Sequence, residues 1–190
     1  MGEPALKRYS FAEYRQLEAA SVTKNEYFEG YILAMAGGTP EHSRLAAAVI
    51  TQLENQLEGK PWAPQTSDMR IRIPATGLAT YPDVSVVCGP LERDPEDADS
   101  VTNPVVIVEV LSKFTEAYDR GEKFYQYRQL ASLQHYVLVS SGVNRIEHYE
   151  RTASTWALHT AGPGAAVVLT SIGCTLSVDA VYRGVERYRG

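Results

Sequence analysis

Only two cysteines occur among the 190 residues, and neither belongs to a C-x-x-C pair or a Cys/His cluster. A disulfide framework and a structural zinc site are therefore both excluded by spacing. Cys88 closes the run Val84-Ser85-Val86-Val87 and Cys174 follows Ser171-Ile172-Gly173, settings in which a thiol packs as a small hydrophobe. Also missing is any stretch near the ~18 consecutive apolar residues of a membrane span. No apolar segment follows Lys7 and Arg8, as a signal peptide would require. These absences set the expectation of a reducing, cytoplasmic location without membrane attachment. Positive charge is in short supply as well: 18 Lys and Arg face 23 Asp and Glu, for a net charge of −5. That balance argues against broad nonspecific coating of nucleic acid and leaves room for a small basic cleft. The chain shows no internal repeat, low-complexity tract or linker between two cores.

What is present is 44% hydrophobic residues in a chain able to bury roughly 70% of its unfolded surface, which predicts one domain over residues 1–190. Ser10 and Glu13 make a capping-box pattern ahead of Tyr14 and Leu17, predicting a short N-terminal helix. Residues 25–36 read as a β-hairpin about Glu29-Gly30. Thr39 and Pro40 open a long amphipathic helix in which Leu45, Val49, Leu53 and Leu57 recur every fourth residue, ending at Gly59-Lys60-Pro61. Met69-Arg70-Ile71-Arg72-Ile73 alternates strictly, predicting a strand with one buried and one basic face. Residues 84–88 and 105–111 are nearly continuous β-branched runs, the pattern of central strands covered on both faces. A helix is expected over 115–130, a buried strand over 135–139, a half-exposed hairpin from 145–149 and 155–158, and a short strand and helix at the end. Residues 91–100 carry five acidic side chains around Pro95 and read as a solvated loop. His135, His148 and His159 share no spacing and read as structural.

The chemistry concentrates in three places. Asp83 follows Pro82 at the start of one buried strand, and Glu109 lies inside the most apolar run of the chain, where an unpaired carboxylate costs several kcal/mol. Glu109 shares a face with Ile107 and Leu111, opposite Val108 and Val110. Two readings stay open. Glu109 pairs with Arg70, Arg72 or a helix lysine while Asp83 caps a turn; or, on neighbouring strands, the two carboxylates converge on a divalent cation, whose hard oxygen ligands suit Mg²⁺ or Mn²⁺. The third place is the helix after Ser112-Lys113-Phe114-Thr115, where Asp119, Lys123 and Tyr127 recur every fourth residue and share a face. Glu41 and His42 open the long helix: its N-terminus favours Glu41 electrostatically, and His42 either contacts phosphate, supports a ligand or is a satisfied, partly buried imidazole.

Pro82-Asp83, Val108-Glu109-Val110-Leu111-Ser112, the stretch from Thr115 through Tyr118-Asp119-Arg120-Gly121-Glu122-Lys123 to Tyr127, and Gln134-His135-Tyr136-Val137-Leu138-Val139 form an ordered set. This set resembles the Uma family of restriction-endonuclease-like proteins, in the PD-(D/E)xK nuclease superfamily. Tyr27-Phe28-Glu29-Gly30 and Pro40-Glu41-His42-Ser43 extend the resemblance over nearly the whole chain. It implies an α/β, restriction-endonuclease-like core with a mixed central β-sheet flanked by helices, behind the N-terminal helix and hairpin. The implied activity is metal-dependent cleavage of phosphodiester bonds, with Asp83 and Glu109 as the acidic pair. Leu111 stands where an E-x-K motif has lysine, so the resemblance points to a migrated lysine, Lys123, with Lys113 as the alternative. The joint expectation is that Asp83, Glu109 and the Val110 carbonyl hold Mg²⁺ or Mn²⁺, with Lys123 orienting water or stabilising the developing charge. Ser112 either hydrogen-bonds Glu109 or positions a water. Arg70, Arg72, Lys113, Arg120, Lys123 and Arg128 are candidate phosphate contacts. DNA is the expected partner, with a homodimer by analogy. The alternatives are a catalytically inactive nuclease-fold module that binds nucleic acid or protein, and a structural dimer whose carboxylates make buried ion pairs.

Overall fold

The computed structural model describes residues 7–35 and 37–188. The segment 1–6 and Ala36, the expected end of the hairpin, lie outside the described residues. Ser10 caps helix α1 (Phe11–Ala20) through a full capping box, with Glu13 N donating to Ser10 Oγ at 3.2 Å and Ser10 N to Glu13 Oε2 at 2.7 Å. The hairpin of β1 (Asn25–Phe28) and β2 (Tyr31–Ala34) turns at Glu29 and Gly30, which have φ of 50° and 89°. Two successive positive φ values match the right-handed twist of the flanking strands. Thr39 and Pro40 start α2 (Pro40–Leu57), as their chemistry predicts.

Beyond it run β3 (Trp62–Thr66), β4 (Arg70–Ile73), β5 (Leu78–Thr80), β6 (Val84–Cys88), β7 (Arg93–Asp94), β8 (Asp97–Val101) and β9 (Pro104–Leu111). A helical segment follows, built of α3 (Glu116–Tyr118), a π-helical turn (Asp119–Lys123) and α4 (Phe124–Tyr127). The chain continues through β10 (His135–Ser140), β11 (Ile146–Arg151), β12 (Trp156–Ala161), β13 (Ala166–Leu169), β14 (Cys174–Ser177), α5 (Val178–Val181) and a 3₁₀ turn (Val185–Arg187). The expected helix over 115–130 is thus shorter and interrupted, because i→i+5 bonds at Asp119–Lys123 insert an extra residue into the turn.

The expected central sheet is present, in the order β12-β11-β10-β9-β6-β3, and it is mixed: β9 and β10 are parallel, the other pairings antiparallel. A second sheet, β2-β1-β5-β4-β8-β7, packs on one of its faces. There Ile71, Ile73 and Leu78 meet Ile107, Leu111, Tyr136 and Leu138. On the opposite face, α2 lays Leu45, Val49, Leu53 and Leu57 against Val84, Val86, Val106, Val108 and Val110, beside the hairpin β13-β14. Both faces of β9 are therefore covered, which its nearly continuous apolar run anticipates. Gln52 and Gln56 of α2 bind the backbone of β14, accepting from Ser177 N at 3.0 Å and Thr175 N at 2.8 Å.

Residues 91–100 are not a solvated loop. They form β7 and β8 of the second sheet, and Asp94 and Asp97 are buried. The alternating arginines of β4 are the cause: Arg70 Nη2 lies 2.7 Å from Asp97 Oδ2, and Arg72 Nε 4.0 Å from Asp94 Oδ2. All four β4 residues are buried, so the anticipated basic face is in fact covered by α1. The Arg70 and Arg72 guanidinium groups lie over the rings of Tyr14 and Phe11.

Strand register also assembles a buried imidazole pair that no sequence spacing announces. His135 Nδ1 and His148 Nε2 are 2.8 Å apart, and Ser171 N donates to His135 Nε2 at 3.1 Å. Because Nε2 is thus an acceptor, neutral His135 carries its proton on Nδ1 and donates it to His148. A second proton on either ring would set two N–H groups against each other. Burial depresses both pKa values to about 4, against an ordinary 6.5. Above pH 6.5 folded and unfolded rings are alike neutral; as pH falls from 6.5 toward 4 the unfolded chain takes up protons that the folded pair refuses, so stability drops. The loss is on the order of 3 kcal/mol per imidazole. Chemical denaturation from pH 7 to 4.5 should accordingly show a steeper acid loss in the wild type than in His135→Gln/His148→Gln. Equal slopes would eliminate the pair as the titrating group.

Candidate active site

β6 and β9 run antiparallel with Val84 opposite Val108, so the residue before one strand meets the residues ending the other. Asp83 and Glu109 come together there by reciprocal bonds. Val110 N donates to Asp83 Oδ2 at 2.7 Å, and Asp83 N donates a longer bond of 3.4 Å to Glu109 Oε2. Glu109 is 4% exposed, on the face between the sheets as the alternation requires. The π-helical turn delivers Lys123, whose Nζ lies 3.0 Å from Glu109 Oε1 and 3.9 Å from Asp119 Oδ1. Tyr127 adds a hydroxyl donated to Glu109 Oε1 at 2.9 Å.

Glu26 completes the cluster. Its Oε1 is 3.2 Å from Lys123 Nζ and accepts from Thr80 Oγ1 of the neighbouring β5. Sequence reasoning passes over Glu26 because Asn25-Glu26-Tyr27-Phe28 mixes polar and aromatic residues without a clear period. The one available signal is a carboxylate within a strand pattern, and Glu26 is indeed the most buried residue of β1. On the far side of Asp83, His42 Nε2 stands 3.1 Å from Asp83 Oδ2. Gly38 leaves room for that ring, since a Cβ there would fall 2.7 Å from His42 Nδ1.

The electrostatics follow from crowding carboxylates out of water. Burial works against the charged form of Lys123, but Glu109, Glu26 and Asp119 outweigh it and hold the ammonium protonated well above its ordinary range. Burial raises Glu109 above the ordinary carboxylate range, with Lys123 opposing and the charges of Asp83 and Asp119 reinforcing the rise. Asp119 is raised by burial too. His42 is raised despite burial, because the hydrogen bond and charge of Asp83 favour its imidazolium form.

Residues 11–179 match the profile of the Uma2 family, described as "Putative restriction endonuclease". The chain belongs to that family. It is 41% identical over 174 residues to the uncharacterized protein slr1290 of Synechocystis sp., covering 91% of this chain and 90% of that protein. Another uncharacterized Synechocystis protein, sll1609, is 33% identical over 148 residues, covering 77% of this chain and 84% of the relative. In three dimensions the chain is similar to a crystal structure described as a putative nuclease belonging to DUF820 from Anabaena variabilis. The TM-score is 0.70 at 17% identity, covering 87% of this chain and 93% of that one.

Among the described residues of this Uma2 protein, no three His, Cys, Asp or Glu side chains converge as a metal-binding group. What meets at the strand ends is a pair of carboxylates, Asp83 and Glu109. Asp83 Oδ1 makes no hydrogen bond or ion pair among the described residues, and Glu109 Oε2 accepts only the 3.4 Å bond. Few protein oxygens, with water and substrate supplying the rest, is the donor chemistry Mg²⁺ favours, so the residues present fit it.

The other candidates fall elsewhere. Ser112 Oγ accepts from Phe114 N and Thr115 N within its own loop. Lys113 is exposed and makes no ion pair among the described residues. Glu41 is partly buried in the first turn of α2. Of the basic residues expected nearby, Arg70 and Arg72 lie on the α1 side of the second sheet, Arg120 is bound to Glu116 and Glu147, and Arg128 stacks on Tyr125. Removing Lys123 strands three buried carboxylates, so Lys123→Met should cost about 3–5 kcal/mol in urea denaturation. Lys113→Met should stay within about 0.5 kcal/mol of wild type. Equal stabilities would show that Lys123 is not the counter-ion.

Proposed function

We propose that this chain, acting over residues 1–190 as one restriction-endonuclease-like domain, is a Mg²⁺-dependent endonuclease of the PD-(D/E)xK type that hydrolyses phosphodiester bonds of DNA. The observation that carries the proposal is the reciprocal docking of Asp83 and Glu109 at adjacent strand ends with Lys123 clamped on Glu109. Family membership supports the reaction class, and Lys123 answers the missing lysine of the E-x-K pattern. Asp83, Glu109 and the carbonyl of Val110 would hold Mg²⁺ or Mn²⁺. The chemistry such an ion supplies when bound is Lewis acidity, which lowers the pKa of water and polarises a phosphate oxygen.

The protein's own contribution is positional. Val110 N and His42 fix Asp83 Oδ2, leaving Oδ1 as its outward donor. Tyr127 and Lys123 fix Glu109 Oε1 and turn Oε2 toward Asp83. Lys123 stays protonated, so it serves as a fixed cation that orients water or stabilises charge on the phosphoryl oxygens, and not as a base. Hydrolysis forms a P–O bond from water and breaks the bond to the leaving ester oxygen, which departs as an alcohol after taking up a proton. Glu109, Glu26 and Asp119 together hold Lys123 in its charged form. We place the enzyme in the cytoplasm as a homodimer.

Calorimetric titration of Mn²⁺ and Mg²⁺ reads the site without a known substrate. Wild-type protein should bind, and Asp83→Asn and Glu109→Gln should not; both should also lose single-turnover cleavage of DNA by at least about 100-fold. Absence of metal binding even with a DNA duplex present would end the nuclease reading in favour of a catalytically inactive nucleic-acid or protein binding module.

A further inference from the structure

The loop after β9 presents two side chains that the fold itself does not use. Phe114 is 98% exposed, so almost the entire ring stands in water. Its backbone is nevertheless organised: Ser112 Oγ accepts from Phe114 N at 3.3 Å and Thr115 N at 3.2 Å, and Glu116 N donates to Ser112 O at 3.0 Å. The turn thus fixes where the Phe114 backbone lies, five residues beyond Glu109 and just past the end of β9. Lys113 beside it is exposed without an ion pair among the described residues, whereas Lys123, Arg120 and Arg145 nearby are each bound to carboxylates.

A ring and a cation at the rim of a carboxylate site make a matched set for one ligand class. A nucleotide offers an apolar, polarisable face and an anion a few ångströms apart, and aromatic stacking accepts every base alike. The geometry points to Lys113 and Phe114 as a substrate-positioning pair, with Phe114 stacking on an unstacked base beside the scissile phosphate and Lys113 contacting a neighbouring phosphate. The inference rests on the nuclease reading and narrows it. A base can lie on Phe114 only after leaving its own stack, so the preferred substrate is single-stranded, or locally unpaired, at the cut. The net charge of −5 fits a contact of few nucleotides, since an acidic surface cannot track a long backbone.

The test measures fluorescence anisotropy of a short labelled oligonucleotide, single-stranded and as a blunt duplex, with Asp83→Asn protein so that nothing is cut. The single strand should bind more tightly. Adding Phe114→Ala should weaken it by about 5- to 150-fold, while Phe114→Trp should retain affinity and lose indole fluorescence on binding. Lys113→Ala should reduce the salt dependence by a slope of about 0.7, one phosphate contact on a single strand. An unaltered thermal melt confirms that Phe114→Ala is folded. Undiminished binding by Phe114→Ala, or no binding of either oligonucleotide by the parent, would overturn the inference. The two readings separate cleanly. Wild-type protein that binds through Phe114 but cleaves nothing with Mg²⁺ or Mn²⁺ keeps the positioning pair and ends the catalytic reading; metal-dependent cleavage and binding indifferent to Phe114 do the reverse.

Discussion

One ammonium group among three buried carboxylates governs the arrangement of this molecule. Lys123 reaches Glu26 from one sheet, Glu109 from the other and Asp119 from its own π-helical turn. None of these charges is tolerable alone in the dry layer between the sheets, and each is made tolerable by the others. Buried ion clusters are a poor way to gain stability, because apolar residues of equal volume usually do as well. A cluster kept at the end of an otherwise aliphatic layer is therefore better explained by what its oxygens can do than by what it adds to folding.

The same cluster makes the site cooperative. Asp83 and Glu109 need only the pairing of β6 with β9, yet the orientation of Glu109 needs Tyr127 and Lys123, and the charge of Lys123 needs Glu26. The two ends of the acidic pair are thus treated differently. Asp83 is held by a main-chain N–H and an imidazole at the rim, Glu109 by an ammonium and a phenol in the interior. Asp83 keeps an oxygen with no protein partner among the described residues, whereas Glu109 is tuned by burial, so the two carboxylates are chemically unequal.

How much of this the sequence reveals depends on whether the signal is local. The capping box at Ser10, the Thr39-Pro40 start of the long helix and the β-branched central strands are each written within a few residues, and the structure has them. The acidic stretch 91–100 is misread because its meaning lies in Arg70 and Arg72 of β4, a strand whose pairing with β8 no local pattern declares. The segment 115–130 carries a helical period, but the inserted residue at Asp119–Lys123 is a hydrogen-bond shift with no compositional mark. Asp83, Glu109 and Lys123 stand out from the sequence because charge is anomalous in or near apolar runs and because an ordered set of motifs frames them. Glu26 is concealed by an ambiguous alternation, and the His135–His148 pair by a register that only the folded sheet defines.

The two glutamines of α2 carry a consequence for behaviour in a crowded solution. A strand at the border of a sheet offers unpaired amide and carbonyl groups to any extended peptide that drifts past, the first step of uncontrolled association. At β14 the side-chain amides of Gln52 and Gln56 already occupy those groups, Gln56 both accepting from Thr175 N and donating to Thr175 O at 2.8 Å. A helix thereby substitutes for a missing strand, and that margin of the small hairpin is sealed from within, closed to recruitment by a neighbouring chain.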